Sequence, residues 1–532
     1  MTLTVPLNHA FRWFIALGVA ALTLSVTMLA PGVDARTQTH HTVKGRYGGS
    51  ITARLIFPPD CLNPLKSLTA GAGVDSAIFD TLLSSDERGR VRPNLAVRWT
   101  FSHKARWVTF FLRHGVHFSN GDPLSATSVK YSLEQALKSP VTAAGLGPLV
   151  SVRSIDRSTL RVVLKSPFRP LLENLRFAPF IVDPRSLRTQ QGDASCRQPA
   201  GSGPFKVQSV EPGFSTVTAV RNPYHNWNAP WIHNGGRAYL SKIVFRPILS
   251  DTTAASSLLS GEVDLTRLSV SELDRVQGNA GITLHEGYEQ AEEYLGFNTA
   301  HSPFDKVAVR RAIAESIDRL ALVKVALGGF GKPAFSPIAP TESYYDSRAG
   351  TYAPRHNVAE ARRILAANHV VGPFTMITYP IPAFATSAEL IQAELAQVGV
   401  KTNIVLKAIP DAQAVLRQGQ YDLNIDILGG NDLYQRFHSS QLPDRGGFNV
   451  TFYRNAQLDH LIVQSRTTIR RKAAVKVFNK LQRFIDSNVV IDPLFTRLLV
   501  VGTRSHLRGW HVSQGSSTAL FPVWQDLYLG TP

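Results

Sequence analysis

The chain has 532 residues, a length that predicts two to four domains, because a single hydrophobic core rarely grows beyond about 250–300 residues. Hydrophobic residues make up 44% and charged residues 18% of the sequence, which excludes an intrinsically disordered chain and a protein with many membrane-spanning helices. The 57 Lys and Arg residues outnumber the 39 Asp and Glu residues, for a net charge of +18, so a nucleic-acid partner has to be considered.

The basic residues are spread along the whole chain and form no motif typical of nucleic-acid-binding proteins. Arginine pairs at 310–311, 362–363 and 470–471 fall within stretches predicted to be helices, where we expect them on solvated faces. We therefore predict no nucleic-acid partner. The positive charge could instead favour anionic ligands or acidic surfaces, and the sequence leaves that choice open.

Residues 1–35 have the pattern of an export signal. Arg12 precedes an uncharged apolar run at 13–30, and the small residues of PGVDA at 31–35 suit a signal peptidase, so we predict cleavage after Ala35. The apolar run is near the lower length limit for crossing a bilayer, which leaves an uncleaved N-terminal anchor as the alternative. No cysteine lies near this boundary. We therefore predict a periplasmic protein that carries no lipid.

Cys61 and Cys196 are the only cysteines in the sequence. Both fall in the part that would be exported, and two lone thiols in an oxidising compartment usually pair. Their spacing excludes a CxxC redox or zinc motif. We predict a disulfide between them, with two separately buried thiols as the alternative.

The first elements predicted after the export signal are strands and one helix. Residues 48–57 alternate between apolar and polar like a half-buried strand, and residues 107–113 do the same. A helix is predicted at 125–137. Short segments of this kind between about 90 and 166 indicate a small β-rich domain.

From about residue 294 to residue 500, helices alternate with strands. Residues 306–327 have apolar side chains at helical spacing and are followed by two glycines, which predicts one long helix. Strands are predicted at 402–406 and 423–428. This alternation predicts an α/β domain whose sheet is covered on both faces.

Three motifs in the middle of the chain occur in the order and at the separations of a known family. They are GSGPF at 201–205, SGEVD at 260–264, and YLGFNTA at 294–300 leading into VRRAIA at 309–314. In these motifs the chain resembles the family 5 extracellular solute-binding proteins, the peptide- and nickel-binding receptors of ABC importers. The resemblance extends from about residue 48 to the C-terminus.

The resemblance implies an α/β protein with the type II periplasmic-binding-protein fold, in which two α/β lobes carry an extra small β-rich subdomain. The implied boundaries are a signal peptide at 1–35, lobe I at 36–84, 199–293 and 500–532, the subdomain at 85–198, and lobe II at 294–499. The implied function is to capture peptides in the cleft between the lobes and deliver them to an ABC permease and ATPase complex at the inner membrane. Such a receptor is expected to be a monomer without a cofactor. A receptor for nickel or another metal chelate is the alternative within the same family.

The loop GGNDLY at 429–434 follows the last predicted strand, and open α/β sheets bind ligands at the carboxyl ends of their strands. By resemblance to the family's corresponding loop, Asp432 is implied to receive the α-ammonium of a peptide, with Gly430, Asn431 and Tyr434 beside it. A fixed carboxylate offsets the cost of burying an ammonium group. The alternative is that Asp432 only stabilises a turn in a glycine-rich loop.

The loop departs from the family pattern at two places. Gly429 stands where the family usually has tryptophan, and residues 434–436 replace Pro-Asp-Pro. Loss of the tryptophan removes an aromatic wall, which predicts a wider pocket or a different cargo. Phe57, at the end of the first predicted strand, would approach the same cleft from the other lobe. The alternative is that Phe57 belongs to the core.

The motifs of the main enzyme classes are missing. The sequence has no GxSxG elbow, Pro333 interrupts the glycine-rich run that a Walker loop would need, and His285 lacks the second histidine of an HExxH motif. We therefore predict that the protein is not an enzyme. The 16 histidines are scattered apart from the pair at 40–41, and His438, near the glycine-rich loop, is the best placed to meet a metal ligand. We predict no metal site in the protein itself.

Overall fold

The computed structural model describes residues 45–66, 72–86, 89–138, 140–189, 194–430, 432–513 and 521–530. The predicted export signal and Asn431 lie outside the described residues. Within the described part of the chain, no helix combines the length and the apolar character needed to cross a membrane.

Most of the described strands belong to one large sheet, and a separate small sheet is formed by β4, β5, β6 and β7. In chain order the strands are β1 (Ser50–Leu55), β2 (Leu83–Ser85), β3 (Val91–Pro93), β4 (Ala96–Phe101), β5 (Trp107–Leu112), β6 (Leu149–Ser154), β7 (Thr159–Leu164), β8 (Phe205–Val210), β9 (Val217–Arg221), β10 (Lys242–Pro247), β11 (Leu265–Leu268), β12 (Ile282–Tyr288), β13 (Ala291–Phe297), β14 (Gly331–Pro333), β15 (Phe374–Thr378), β16 (Thr402–Leu406), β17 (Leu423–Gly429), β18 (Ile491–Arg504), β19 (Leu507–Arg508), β20 (Val512–Ser513), β21 (Phe521–Pro522) and β22 (Tyr528–Leu529).

Helices cover both faces of the second half of the large sheet and one face of the small sheet. In chain order they are α1 (Ala72–Ile78), α2 (Ala126–Ala136), α3 (Pro140–Leu146), α4 (Pro170–Asn174), α5 (Pro184–Thr189), α6 (Ala194–Arg197), α7 (Asp251–Ser260), α8 (Leu273–Val276), α9 (Val307–Ser316), α10 (Arg319–Ala326), α11 (Val358–Ala367), α12 (Pro382–Gln397), α13 (Ile409–Arg417), α14 (Tyr434–Phe437), α15 (Ala456–Thr467) and α16 (Arg471–Asn488).

The large sheet has two halves that share strand β18. The order in the first half is β18-β11-β1-β10-β9-β8, with β1 parallel to both of its neighbours. The order in the second half is β16-β15-β17-β13-β18, in which β16, β15 and β17 are parallel and β13 is antiparallel to β17 and β18. β12 and β14 pair with β18 outside this order.

The chain crosses between the two halves at two neighbouring places. Residues 491–495 of β18 pair with β13, and residues 498–504 pair with β12. β18 thus runs through both halves and is the longest described strand. Only residues 289–290 separate β12 from β13. We call residues 288–293 and 495–498 the crossings. The predicted domain boundaries at 293/294 and 499/500 lie close to them, and the exact division into lobes stays a prediction.

The small sheet β4-β5-β7-β6 is antiparallel throughout and forms the small β domain together with α2 to α4. Val108 and Phe110 of β5 are fully buried and share one core with Leu133 of α2. The Ser125 hydroxyl caps α2 by accepting a hydrogen bond from the Ser128 amide. The predicted strand and helix of this region are both present.

The GSGPF motif lies where the end of α1 meets β8. A Cβ atom on Gly201 would lie 2.1 Å from the carbonyl oxygen of Ile78, and the Gly203 amide donates to this same oxygen at 2.9 Å. The Ser202 hydroxyl donates to the Asp80 carboxylate at 2.8 Å. Because no side chain fits at Gly201, glycine is required for this close approach of two backbone segments.

The VRRAIA motif places an arginine inside the second half. Arg310 in α9 is almost fully buried, and its guanidinium donates to the carbonyl oxygens of Phe304, Asn488 and Val489 at 2.7–2.8 Å. A buried cation needs such partners to offset its loss of water. Packing and backbone pairing therefore explain both of these motifs.

Cys61 and Cys196 form a disulfide, with their Cα atoms 4.5 Å apart and a sequence separation of 135. The Leu62 amide also donates to the Cys196 carbonyl oxygen at 2.9 Å. A bond that closes so long a loop typically stabilises a folded protein by about 2–4 kcal/mol, because it restricts the unfolded chain.

The prediction of one uninterrupted helix at 306–327 is wrong. α9 ends at Ser316 and α10 begins at Arg319. The Asp318 side chain caps α10 by accepting hydrogen bonds from two amides of its first turn, at 2.9 and 3.2 Å. The apolar spacing continues across the break and concealed this capping residue.

Candidate functional site

The loop after β17 contains most of the predicted ligand residues. Gly430 has a φ angle of +80°, a conformation that glycine adopts without strain, and it turns the chain away from the strand. The Asp432 carboxylate accepts a long hydrogen bond of 3.4 Å from the Tyr434 amide, and Tyr434 begins the short helix α14. This bond spans the turn that leads into α14.

Asp432 also faces a cation of the same chain. The Arg466 Nε atom lies 3.1 Å from Asp432 Oδ1, and the two side chains are 18% and 24% exposed. The Arg466 guanidinium stacks between two aromatic rings, 4.0 Å from the ring centre of Tyr434 and 4.9 Å from that of Phe168. The carboxylate is therefore already neutralised in this structure. The prediction that Asp432 receives a ligand ammonium stays a prediction.

A cavity of about 420 Å³ opens beside this ion pair. Its lining comes from the small β domain on one side and from α14 and α15 on the other. The lining residues are Ala143, Gly147, Pro148, Ser166, Pro167, Phe168, Tyr434, Gln435, Val463, Arg466 and Thr467. The cavity thus lies between two separate groups of secondary-structure elements, and clefts of this kind often hold ligands.

Arg169 fixes the small β domain against α15 beside this cavity. Its amide donates to the Arg466 carbonyl oxygen at 2.6 Å, and its Nε donates to the Ser465 carbonyl oxygen at 2.7 Å. Its Nη1 donates to Glu173 at 2.8 Å. The guanidinium lies 4.7 Å from the ring centre of Tyr344 and 4.7 Å from that of Phe478. We call the contact of Phe168 and Arg169 with α15 the junction.

A second cavity of about 290 Å³ adjoins the junction and has a basic lining. Arg90, Arg92, Arg169 and Arg471 contribute to it, together with the single acid Glu173. Two of these arginines, at 90 and 92, also form ion pairs with Asp86 at 2.8 and 2.6 Å. Asp86 and Glu173 therefore offset part of the positive charge of this lining.

Two adjacent glutamates lie buried at the crossings. Burial raises the pKa of Glu292 to about 8, and a hydrogen bond of 2.9 Å from the Thr496 hydroxyl lowers it in part. Burial raises the pKa of Glu293 to about 7, although the charge of Arg497 opposes this shift. Both carboxylate oxygens of Glu293 are buried without a hydrogen-bond partner among the described residues.

The Ser387 hydroxyl, which lies near Glu293, donates its hydrogen bond to another group. Ser387 lies close enough to lower the pKa of Glu293, but its hydroxyl donates to the Ala383 carbonyl oxygen at 2.8 Å. Arg497 donates from Nε to Glu289 at 2.8 Å. Glu293 is therefore a buried acid whose neighbours have other partners, so at neutral pH a large fraction of it carries a proton.

The structure does not bring all of the predicted residues together. Phe57 lies two residues beyond β1 with 51% of its surface exposed, and it lines neither of the two cavities described above. The prediction that it contacts a ligand is untested. Asn431 lies outside the described residues. Gly430 has open space around it, since an added Cβ atom would meet no atom within 4 Å.

His438 is committed to its own loop. Its Nδ1 accepts a hydrogen bond from the Ser440 amide at 3.0 Å and lies 2.8 Å from the Ser440 hydroxyl. The ring packs 4.6 Å from that of Tyr434, and burial lowers the pKa of His438. These contacts leave the histidine that the sequence pointed to in a structural role.

Sequence reasoning missed the residues that form the junction. Arg169 meets the Ser465 carbonyl oxygen across a sequence separation of 296, and no motif marks either position. Arg466 belongs to the pattern of α15, where an arginine near the end of a helix is an ordinary surface residue. Only the three-dimensional contact shows that it pairs with Asp432.

The fold and several sequences place the chain among known proteins. The sequence pattern of "Bacterial extracellular solute-binding proteins, family 5 Middle" matches residues 90–440. The glutathione-binding protein GsiB of Escherichia coli strain K12 is 25% identical over 465 residues, which cover 84% of this chain and 88% of GsiB. GsiB of Salmonella typhimurium strain LT2 is 25% identical over 521 residues, or 94% and 96% of the two chains.

Solved structures share the fold. CtaP of Listeria monocytogenes superposes with a TM-score of 0.80 at 20% identity, and AppA of Bacillus subtilis, in complex with a nonapeptide, with 0.73 at 19%. NikA of Brucella suis, in complex with Fe(III)-EDTA, superposes with 0.78 at 20%. The matches cover 91%, 92% and 90% of this chain and all of each neighbour. The predicted fold class is confirmed, and this chain belongs to the bacterial extracellular solute-binding proteins of family 5, the substrate-binding components of ABC importers.

Proposed function

We propose that this protein captures peptides between its lobes and delivers them to the permease and ATPase complex of an ABC importer. Family membership makes it a substrate-binding component, and GsiB and the peptide-bound AppA are the similar proteins that suggest a peptide cargo. The proposal includes no catalysis, so the cargo is released unchanged.

The observation that carries the proposal is the ion pair of Asp432 and Arg466 at the edge of the 420 Å³ cavity. A peptide with free ends carries an ammonium and a carboxylate. It can exchange with both members of the pair and leave neither charge alone in a half-buried site. The rings of Phe168 and Tyr434 then supply apolar contact on either side.

Gly430, Asn431 and Phe57 have secondary roles in this proposal. The glycine-rich loop would bring backbone groups close to an extended peptide, whose main chain pairs independently of its side chains. Phe57, which is half exposed at the end of β1, would pack against the peptide from the first lobe. Binding of this type tolerates varied peptide sequences.

The proposal is tested by calorimetric titration of the purified protein with di- to octapeptides and with glutathione. Free peptides should bind, and N-acetylation of the peptide should weaken binding at least about 10-fold, because it removes the ammonium. Asp432→Asn should weaken the binding of free peptides to a similar extent. The matched control is Asp444→Asn, an exposed aspartate in the same region of the chain, which should bind as the wild type does.

Each outcome of the titration distinguishes a different part of the proposal. Absence of heat from every peptide would contradict a peptide cargo. Equal affinity of free and N-acetylated peptides would contradict the role of Asp432 but leave the cargo in place. Heat only from nickel or iron chelates would favour the metal-chelate alternative. NikA, which has the same fold, was solved with such chelates bound. Recovery of peptides by mass spectrometry after incubation tests that they are released unchanged.

The path of export and delivery belongs to the same proposal. The mature protein would begin after Ala35, carry no lipid and act as a periplasmic monomer; intact-mass measurement of the exported protein checks the first two points. Closure would occur at the crossings, because the two chain segments there connect the halves of the sheet. Small-angle scattering with and without bound peptide should show a more compact protein when cargo is present.

A further inference from the structure

Two histidines and an aspartate converge in the first half of the molecule, outside the candidate peptide site. His233 lies in the loop between β9 and β10, and His511 and Asp526 lie in the C-terminal segment after β18. One donor atom from each side chain can be chosen so that all three atoms lie within 4.8 Å of one another. No spacing motif in the sequence connects these three positions.

The carboxylate of this group is held in place by backbone amides. Asp526 Oδ1 accepts a hydrogen bond from the Asn234 amide at 2.6 Å, and Oδ2 accepts one from the His233 amide at 3.1 Å. Only 4% of the Asp526 side chain is exposed. A carboxylate fixed by hydrogen bonds from outside is typical of a metal ligand, because these bonds set its orientation.

His511 points at this carboxylate without a hydrogen bond to it. Its Nε2 atom lies 2.9 Å from Asp526 Oδ2, but Nε2 is buried and has no aligned hydrogen-bond partner among the described residues. The His511 side chain is only 9% exposed, and its ring is perpendicular to that of Trp231, with the ring centres 6.5 Å apart. At this distance the imidazole nitrogen and the carboxylate oxygen form an ion pair when the ring is protonated, and both can be ligands of one cation when it is neutral.

His233 completes the group from the solvent side. Its ring centre lies 4.4 Å from that of His511, and the residue is exposed. Donor atoms around a tetrahedral Zn²⁺ lie roughly 3.3 Å apart, given bonds of about 2.0–2.1 Å. The close pair of His511 and Asp526 nearly meets this spacing. Rotation of the exposed His233 side chain can shorten the remaining separations by the necessary amount.

We propose that His233, His511 and Asp526 bind one divalent transition-metal ion of the Zn²⁺ class. Two imidazole nitrogens and one carboxylate are borderline ligands that suit this class, and the exposed side leaves a fourth position for water. The bound ion would connect the C-terminal segment to the loop before β10. Its binding would therefore stabilise the first half by linkage and would not compete with a peptide.

The site is tested on the full exported chain by titration with Zn²⁺ alone and by the visible absorption of bound Co²⁺. One ion per chain should bind, with the absorption typical of a tetrahedral site. His233→Ala and His511→Ala should each weaken Zn²⁺ binding at least about 10-fold. His233→Ala is the more decisive variant, since an exposed side chain can be removed without loss of folding, which circular dichroism checks.

Two controls separate this site from other histidines. His356→Ala removes another exposed histidine and should leave Zn²⁺ binding unchanged. Replacement of His40 and His41 by alanine should also leave it unchanged. Absence of Zn²⁺ binding would overturn the proposal. Zn²⁺ binding that both His233→Ala and His511→Ala retain would also overturn the proposal. The same holds for Zn²⁺ binding that is abolished only by the replacement of His40 and His41. Peptide titrations of the same variants are independent of this result, so failure of the metal site does not affect the proposed cargo.

Discussion

The junction and the crossings both bury charged groups, but they stabilise them in different ways. At the junction, Arg169 and Arg466 each have a carboxylate partner and two aromatic rings. At the crossings, the described residues give Glu292 one hydroxyl partner and give neither carboxylate oxygen of Glu293 a hydrogen bond. An arginine side chain stays charged at neutral pH, whereas a buried carboxyl group can become neutral by taking up a proton.

Because of this difference, the stability of the junction and that of the crossings should depend differently on pH. The cations of the junction are arginines, and arginine keeps its charge at neutral and alkaline pH, so a rise in pH leaves these ion pairs in place. The crossings are most stable when the two glutamates are protonated. Moderately acidic conditions should therefore favour the crossings, and alkaline conditions should weaken them, without an equal change at the junction.

Arg169→Ala should produce the largest loss of stability. The substitution leaves Glu173 buried without its cation and removes the contact with the Ser465 carbonyl oxygen. We expect the free energy of unfolding to fall by about 3–5 kcal/mol, measured by urea denaturation. The control is Arg185→Ala in the same part of the chain, whose side chain is 72% exposed. Similar losses for the two variants would contradict a special role for the junction.

Glu292→Gln should stabilise the protein at alkaline pH. The pKa of Glu292 is raised from 4.5 to about 8, so the folded state holds a proton that the unfolded state releases above about pH 4.5. The resulting penalty is small at pH 5 and increases up to about pH 8. Glutamine resembles the protonated acid and avoids this penalty. We expect a gain of about 4 kcal/mol at pH 8 and of less than about 1 kcal/mol at pH 5.

Urea denaturation of wild type and variant at the two pH values measures this gain. Glu360→Gln is the control, because the Glu360 side chain is 39% exposed and its hydrogen bond and ion pair with Arg363 lower its pKa instead of raising it. It should give no gain at either pH. A gain of Glu292→Gln that is the same at pH 5 and pH 8 would show that the effect has another cause.

Arg466→Ala should have a smaller effect on stability than Arg169→Ala. Arg466 is less buried, and its loss removes a partly exposed ion pair and two ring contacts. We expect a loss of about 1–2 kcal/mol by urea denaturation. Arg466→Lys keeps the charge but not the planar group, so it should recover less than half of the loss. Full recovery by lysine would show that stacking on Phe168 and Tyr434 contributes little.

Phe57→Ala should have the smallest effect on stability of the four. The side chain is half exposed at the end of β1, so the free energy of unfolding should change by less than about 0.5 kcal/mol. Peptide affinity measured by calorimetry should nevertheless fall several-fold if the ring packs on the cargo. Leu249→Ala, which removes another exposed apolar side chain, is the control for both measurements. A loss of stability above about 1 kcal/mol would show that Phe57 contributes more to folding than its half-exposed position predicts.

Elements with a strong local pattern could be predicted from the sequence. The strand at 402–406 occurs with the predicted bounds, and β5 and α2 differ from prediction by one residue at their ends. The break between α9 and α10 was missed because apolar spacing gives no warning of a cap at Asp318. Local patterns therefore identify elements more reliably than they identify their ends.

The candidate site was less predictable, because it depends on distant pairs. The loop around Asp432 could be located from its place after β17, but its partner Arg466 lies on another element and has no motif of its own. The group of His233, His511 and Asp526 was missed for the same reason. Electrostatic partners are set by the fold, and a single sequence records them only as isolated charged residues.

Strand β18 also determines when the chain can finish folding. It lies near the C-terminus and supplies neighbours to β11 and β12 in one half and to β13 and β14 in the other. Neither half can complete its sheet until residues 491–504 have been synthesised. A growing or truncated chain therefore exposes unpaired strand edges, which are prone to aggregation. Addition of residues 491–504 pairs these edges in both halves at once.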